Sequence, residues 1–131
     1  MILLDTHVWY RWSVEHPKLQ REHEEAIGAA FASGESVRIA AISCWEVGML
    51  VSKNRLPLPL PLGDWIDASL APLGVTVIPL DRHIATAASC LPGDIHGDPA
   101  DRIIAATARV LDARLLTADR KLLAYPHVKT L

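Results

Sequence analysis

His96-Gly97-Asp98-Pro99-Ala100-Asp101-Arg102-Ile103-Ile104-Ala105-Ala106-Thr107 is the stretch on which the reading of this chain turns. It starts as a glycine-containing loop and becomes an amphipathic helix at Asp98-Pro99, because aspartate is a favoured N-cap and proline fits the first helical position. Asp98 and Asp101 are three residues apart, so both carboxylates sit at one helix end and face common ground. Acids in a first helical turn also complement the helix dipole, so this pair acquires meaning only from where the other acids fall.

Outward from this helix, short apolar runs alternate with helical stretches. Ile2-Leu3-Leu4 reads as a buried strand ending at Asp5-Thr6, either of which can cap a helix through Val8, Trp9 and Trp12. Pro17 opens a helix over Lys18 to Ser33, which Gly34 ends. Val37 to Ile42 reads as a second strand, and Ser43 is placed to cap the helix after it, with Glu46 three residues on in capping-box spacing. Glu46 is the only acid between Glu35 and Asp64, so a site needing a carboxylate from this helix must use it. Leu56 to Leu62 carries proline at 57, 59 and 61, which forbids a helix or a central strand and predicts an extended connector. A short helix over Asp64 to Leu70 precedes the strand Val75-Thr76-Val77-Ile78. Asp81 then starts a helix over Arg82 to Cys90. Beyond the Asp98 helix come a strand over Arg114 to Thr117, a short helix through Leu123 and a last strand near Val128.

Strand-first alternation along the chain predicts an α/β protein: a three-layer α/β/α sandwich around a central, mainly parallel sheet, because parallel strands need crossovers and the crossovers cover both faces. Its 131 residues suit a single domain over 1–131. A formal charge of −2 gives no global basic field for nucleic acid, although the thirteen Lys and Arg leave room for a local patch. Two cysteines, Cys44 and Cys90, build no disulfide scaffold and suit a reducing compartment. The start of the chain has no basic leader, and no apolar run approaches the ~20 residues of a membrane span, so a cytoplasmic protein without membrane association is expected.

In such sheets ligands gather at the carboxyl ends of the strands. Asp5 follows the first strand, Glu46 lies just after the second, Asp98 and Asp101 open a crossover helix, and Asp119 follows the Arg114–Thr117 strand. All are expected on one rim. Clustered carboxylates repel, and a hard divalent cation such as Mg²⁺, which takes oxygen ligands, relieves that repulsion. No His-and-Cys set suggests zinc. His7 and His96 lie near the rim as hydrogen-bonding or substrate contacts rather than ligands. The chemistry such a site supports is metal-assisted attack of water on a phosphodiester. Arg11, Lys53, Arg55 and Arg102 are near the rim elements in sequence and can meet phosphates.

Four ordered signatures, Leu4-Asp5-Thr6-His7-Val8, Ser43-Cys44-Trp45-Glu46-Val47, His96-Gly97-Asp98-Pro99-Ala100-Asp101-Arg102 and Leu116-Thr117-Ala118-Asp119, together resemble those of PIN-domain ribonucleases. More narrowly, they resemble the VapC-type toxins of bacterial toxin-antitoxin pairs, over essentially the whole chain. The resemblance implies a Mg²⁺- or Mn²⁺-dependent endoribonuclease with Asp5, Glu46, Asp101 and Asp119 as catalytic, metal-binding acids, and Asp98 as a neighbour that can reach a second metal. It implies that Thr117 and Thr6 orient these carboxylates, a homodimer, an RNA substrate, and neutralisation by a VapB-type antitoxin. Arg102 and His7 are the substrate-contact candidates. Ala100 departs from the bulky aromatic common at that position in this branch.

Two other readings are on the table. One is a catalytically silent RNA- or protein-binding module on the same fold. The other is a phospho-receiver-like signalling domain, which would want paired acids directly after the first strand and a lysine after the last, where this chain has Thr6-His7 and Thr117-Ala118-Asp119.

Overall fold

The computed structural model describes residues 1–72 and 74–131. Four parallel strands, β1 (Ile2–Leu4), β2 (Val37–Ala40), β3 (Val75–Ile78) and β4 (Arg114–Leu116), form one sheet in the order β3-β2-β1-β4. The register pairs Ile2 with both Val37 and Arg114, and Leu4 with both Ile39 and Leu116. The first strand is therefore central, and its residues are fully buried because helices cover both of its faces.

Alternation along the strands divides the core. Ile2, Leu4, Val37 and Ile39 pack on one face against helices α1 (Thr6–Ser13), α2 (Arg21–Ser33), α3 (Ala41–Ser52) and α4 (Leu62–Ser69), through Val8, Trp9, Ile27, Val47 and Trp65. Leu3, Ala40 and Leu115 pack on the other against α6 (Pro99–Leu111) and α7 (Arg120–Ala124), through Ile104, Ala105, Ala108 and Leu122. Helix α5 (Arg82–Ser89) joins this second layer by setting Ile84 and Ala88 on Ala106. The three-layer sandwich expected from the sequence is thus present.

Element ends carry the differences. β2 stops at Ala40 and α3 starts at Ala41, so Ser43 lies inside the first helical turn and no side chain caps the helix. The capping box expected of Ser43 and Glu46 does not form, because the buried Ser43 hydroxyl is bonded instead to Thr6. Helix α2 starts at Arg21 rather than Lys18, whose backbone N–H is taken by His16 Nδ1. In place of the last strand expected near Val128 there is a single isolated parallel bridge between Leu115 and Thr130: Leu115 N donates to Lys129 O, Leu131 N to Leu115 O and Thr117 N to Leu131 O. Leu56–Pro61 carries no helix or strand, and the Tyr10 hydroxyl holds it by donating to the Pro57 carbonyl. At α6, Asp98 caps as the sequence suggests, its Oδ1 accepting from Asp101 N at 3.0 Å with Pro99 in the first turn.

Candidate active site

Each acid reaches the rim by a different local device. Asp5 continues the central ladder, its N–H donating to the Leu116 carbonyl at 3.0 Å, before the chain turns into α1. That places a carboxylate at the end of the most buried strand, 5% exposed. Oδ1 accepts from Thr6 N at 2.8 Å and Oδ2 from Thr117 Oγ1 at 2.7 Å. Burial pushes the Asp5 carboxyl above its usual range although both bonds and His7 oppose the rise, and the charge of Asp119 adds to it.

Glu46 is presented by the second turn of α3. Its Oε1 accepts from Thr6 Oγ1 at 2.6 Å, and Ser43 Oγ lies 2.8 Å from the same Thr6 oxygen. Thr6 has one hydroxyl proton and the carboxylate can only accept, so Ser43 supplies the proton of the second bond. Burial, then the charges of Asp5, Asp101 and Asp98, push the Glu46 carboxyl up to about 7. Asp101, in the first turn of α6, is also raised by burial and by the charges of Asp98, Asp5 and Asp119. His96 opposes this, with Nε2 2.6 Å from Asp101 Oδ2. Asp119 caps α7, accepting from Lys121 N and Leu122 N, while its own N–H donates to Thr117 Oγ1 at 3.0 Å.

Thr117 therefore ties two acids together, donating to Asp5 and accepting from Asp119. Thr6 ties Asp5 to a third, through its backbone to Asp5 and its hydroxyl to Glu46. The five carboxylates expected on one rim are coupled electrostatically, the charges of Asp5, Asp98, Asp101 and Asp119 each acting on at least one other, which acids on separate faces would not be. Their present hydrogen bonds nonetheless spread them: among the described residues no three of these groups are set to grip an ion as they stand. Asp101 is turned toward His96, Asp119 into its own helix start, and Asp98, exposed, into its cap.

Of the substrate-contact candidates, His7 is exposed on α1 beside Asp5. Arg102 is anchored, its Nε donating to the Ala88 carbonyl of α5 at 3.1 Å, so only its terminal nitrogens remain for a phosphate. Ser43 is a residue of the site that the sequence reading assigned to a cap. The signal for it, a hydroxyl partner 37 positions away, exists only in the fold. A cleft of about 360 Å³ beside Trp12, Pro59, Leu60 and Trp65 contains none of the carboxylates.

The donor set is all carboxylate oxygen, self-repelling and half-buried, with hydroxyls fixing its orientation, and it suits a hard divalent cation better than a soft one. A parallel α/β sheet brings these acids to the carboxyl edge of its strands, where such folds place their ligands. Residues 2–128 match the PIN domain family, and the chain belongs to it. Within that family it is 37% identical over 126 residues to Ribonuclease VapC22 of Mycobacterium tuberculosis, covering 96% of this chain and 92% of that protein. VapC ribonucleases of this family are in general divalent-metal dependent.

Solved structures agree on the fold. VapBC2 from Rickettsia felis, bound to a DNA fragment from their promoter, matches with a TM-score of 0.74 at 21% identity, covering 100% of this chain and 98% of that one. FitAcB from Neisseria gonorrhoeae matches at 0.68 and 20% identity, and a toxin-antitoxin complex from Klebsiella pneumoniae at 0.67 and 19%, each covering 100% of this chain and 96% of the other. Family membership removes the receiver-domain reading. No helix among the described residues is long and apolar enough to cross a membrane.

Proposed function

We propose that this chain, acting as one nuclease domain over residues 1–131, is the toxin of a type II toxin-antitoxin pair and an endoribonuclease that hydrolyses RNA phosphodiester bonds. The observation that carries the reading is the mutual charge coupling of Asp5, Glu46, Asp101 and Asp119, drawn from four separate segments, in a chain 37% identical to a ribonuclease. Asp5, Glu46, Asp101 and Asp119 would hold Mg²⁺, with Mn²⁺ able to replace it, and Asp98 is the candidate for a second ion. When bound, the cation supplies Lewis acidity toward the phosphoryl oxygen and makes water more acidic.

The remaining chemistry belongs to the side chains. Thr117 fixes Asp5 and Thr6 fixes Glu46, so these carboxylates keep one orientation and lose little entropy on engaging a ligand. Thr6 occupies Glu46 Oε1, leaving Oε2 to take a proton from the attacking water as its oxygen bonds to phosphorus; the bridging P–O bond breaks and the departing oxygen takes up a proton from solvent. His7 and the terminal nitrogens of Arg102 are assigned to the RNA backbone, with Arg11, Lys53 and Arg55 as further phosphate candidates. A VapB-type antitoxin, a homodimer and a cytoplasmic location complete the reading.

The deciding experiment is cleavage of total RNA with Mg²⁺ by the wild type and by Asp5→Asn and Asp101→Asn. Cleavage confined to the wild type supports the nuclease. RNA left equally intact by all three supports the silent RNA- or protein-binding module, a reading favoured by one observation: the carboxylates are bonded elsewhere and are not grouped to grip an ion.

A further inference from the structure

His96 belongs to no helix or strand, yet its position is heavily determined. The loop at 91–97 is latched at its start by the Tyr125 hydroxyl, which donates to the Pro92 carbonyl. Gly93 next turns with φ of 66°, and a side chain there would meet the His127 ring at 3.0 Å, so the C-terminal segment presses directly on the loop. The loop then delivers His96 to Asp101 at 2.6 Å, with both side chains 18% exposed. Two anchors from 125–127 thus hold a histidine against a carboxylate of the acidic rim. An ionised carboxylate can only accept, so Nε2–H is the donor, whether or not the ring also carries a proton on Nδ1.

That bond occupies one of the two Asp101 oxygens. Oδ1 has no hydrogen-bond partner among the described residues. The bond takes one lone pair of Oδ2 and leaves Oδ1 the freer ligand atom, which favours one-oxygen over two-oxygen ligation of a cation. Small octahedral cations accept single-oxygen ligation, whereas calcium fills its six to eight positions partly with two-oxygen carboxylates.

We propose that His96 is a positioning residue that biases Asp101 toward one-oxygen ligation and so tunes the rim toward small octahedral divalent cations and against calcium. This rests on the metal-dependent reading above. The test titrates Mn²⁺ into the full chain, followed by electron paramagnetic resonance, with Ca²⁺ as competitor. Removing a hydrogen bond behind a metal ligand costs about 10–100-fold in affinity. His96→Ala and His96→Leu, the second keeping bulk without a donor, should therefore shift the Mn²⁺-to-Ca²⁺ affinity ratio toward calcium by about tenfold. His96→Gln, which keeps an N–H donor, should restore the wild-type ratio. Circular dichroism establishes that each variant is folded, and either donorless variant suffices.

A ratio moved less than twofold by loss of the donor overturns the role of His96, as does a glutamine variant that behaves like alanine. Wild-type protein that binds no Mn²⁺ overturns the metal reading itself. Mn²⁺ binding with an unshifted ratio leaves that reading standing and defeats only this inference.

Discussion

Replacing Glu46 with glutamine should stabilise the metal-free protein above neutral pH while abolishing cleavage. The Glu46 carboxyl rises from an ordinary 4.5 to about 7 on folding, so the native state holds this proton more tightly than the unfolded chain. Stability is then unpenalised below about 4.5, falls as pH climbs from there to about 7, and stays reduced beyond. The full shift corresponds to about 3 kcal/mol, and because the side chain is only half-buried, screening by water reduces this to about 1–2 kcal/mol. Glutamine has no proton to lose, and its carbonyl can still accept from Thr6 Oγ1. Thermal melts of both proteins in chelator at pH 5 and pH 8 check the reasoning. The variant should melt about 3–8 °C higher than the wild type at pH 8 and nearly level with it at pH 5. A shallower decline persists in the variant, since Asp5 and Asp101 are raised too. Added Mg²⁺ should reverse the order at pH 8 by stabilising the wild type more. A variant melting at or below the wild type at pH 8 in chelator would refute the claim that burial, reinforced by the neighbouring acids, penalises the charged Glu46 carboxylate in the folded state.

Other outcomes follow from the same geometry. Asp5→Asn should reduce cleavage of labelled RNA by about 100-fold or more while leaving a folded protein, because an amide keeps the bulk but not the charge of a ligand. Thr117→Val should lower chemical stability by about 1–3 kcal/mol in urea melts, since it strips the donor from Asp5 and the acceptor from Asp119 N–H, and Thr117→Ser should recover most of the loss. Chelation of divalent ions should stop cleavage on gels, and excess Mg²⁺ should restore it. RNA binding by the Asp5→Asn variant should weaken steeply with salt, and adding Arg102→Ala should reduce the slope of log affinity against log salt by about one.

Some of this molecule could be read along one dimension and some could not. Asp98-Pro99 announces a helix start because capping is a conversation among neighbours within four residues, and the structure keeps it. The placement of Asp5, Glu46 and Asp119 at strand ends was legible for a related reason: apolar runs and turns mark where strands stop, and parallel topology puts those stops on one edge. Ser43 misled because its local surroundings, a hydroxyl three residues before a glutamate, match a cap, while the partner that wins its proton lies at residue 6. The three C-terminal residues were displaced from the expected strand because their pairing is set by β4, not by their own weak apolar pattern. His96 was near the rim on paper, but its bond to Asp101 depends on a loop bent by Gly93 and clamped from residues 125 and 127.

Because β1 sits between β2 and β4, the earliest of the four strands in sequence is flanked by the latest. Asp5 precedes by 112 residues the Thr117 hydroxyl that fixes its Oδ2, and the neighbouring acid comes two positions later still, at residue 119. A chain lacking residues 114–119 has an open flank on β1 and an incomplete set of rim acids. Truncation before residue 119 is therefore expected to remove the hydrolytic activity proposed above.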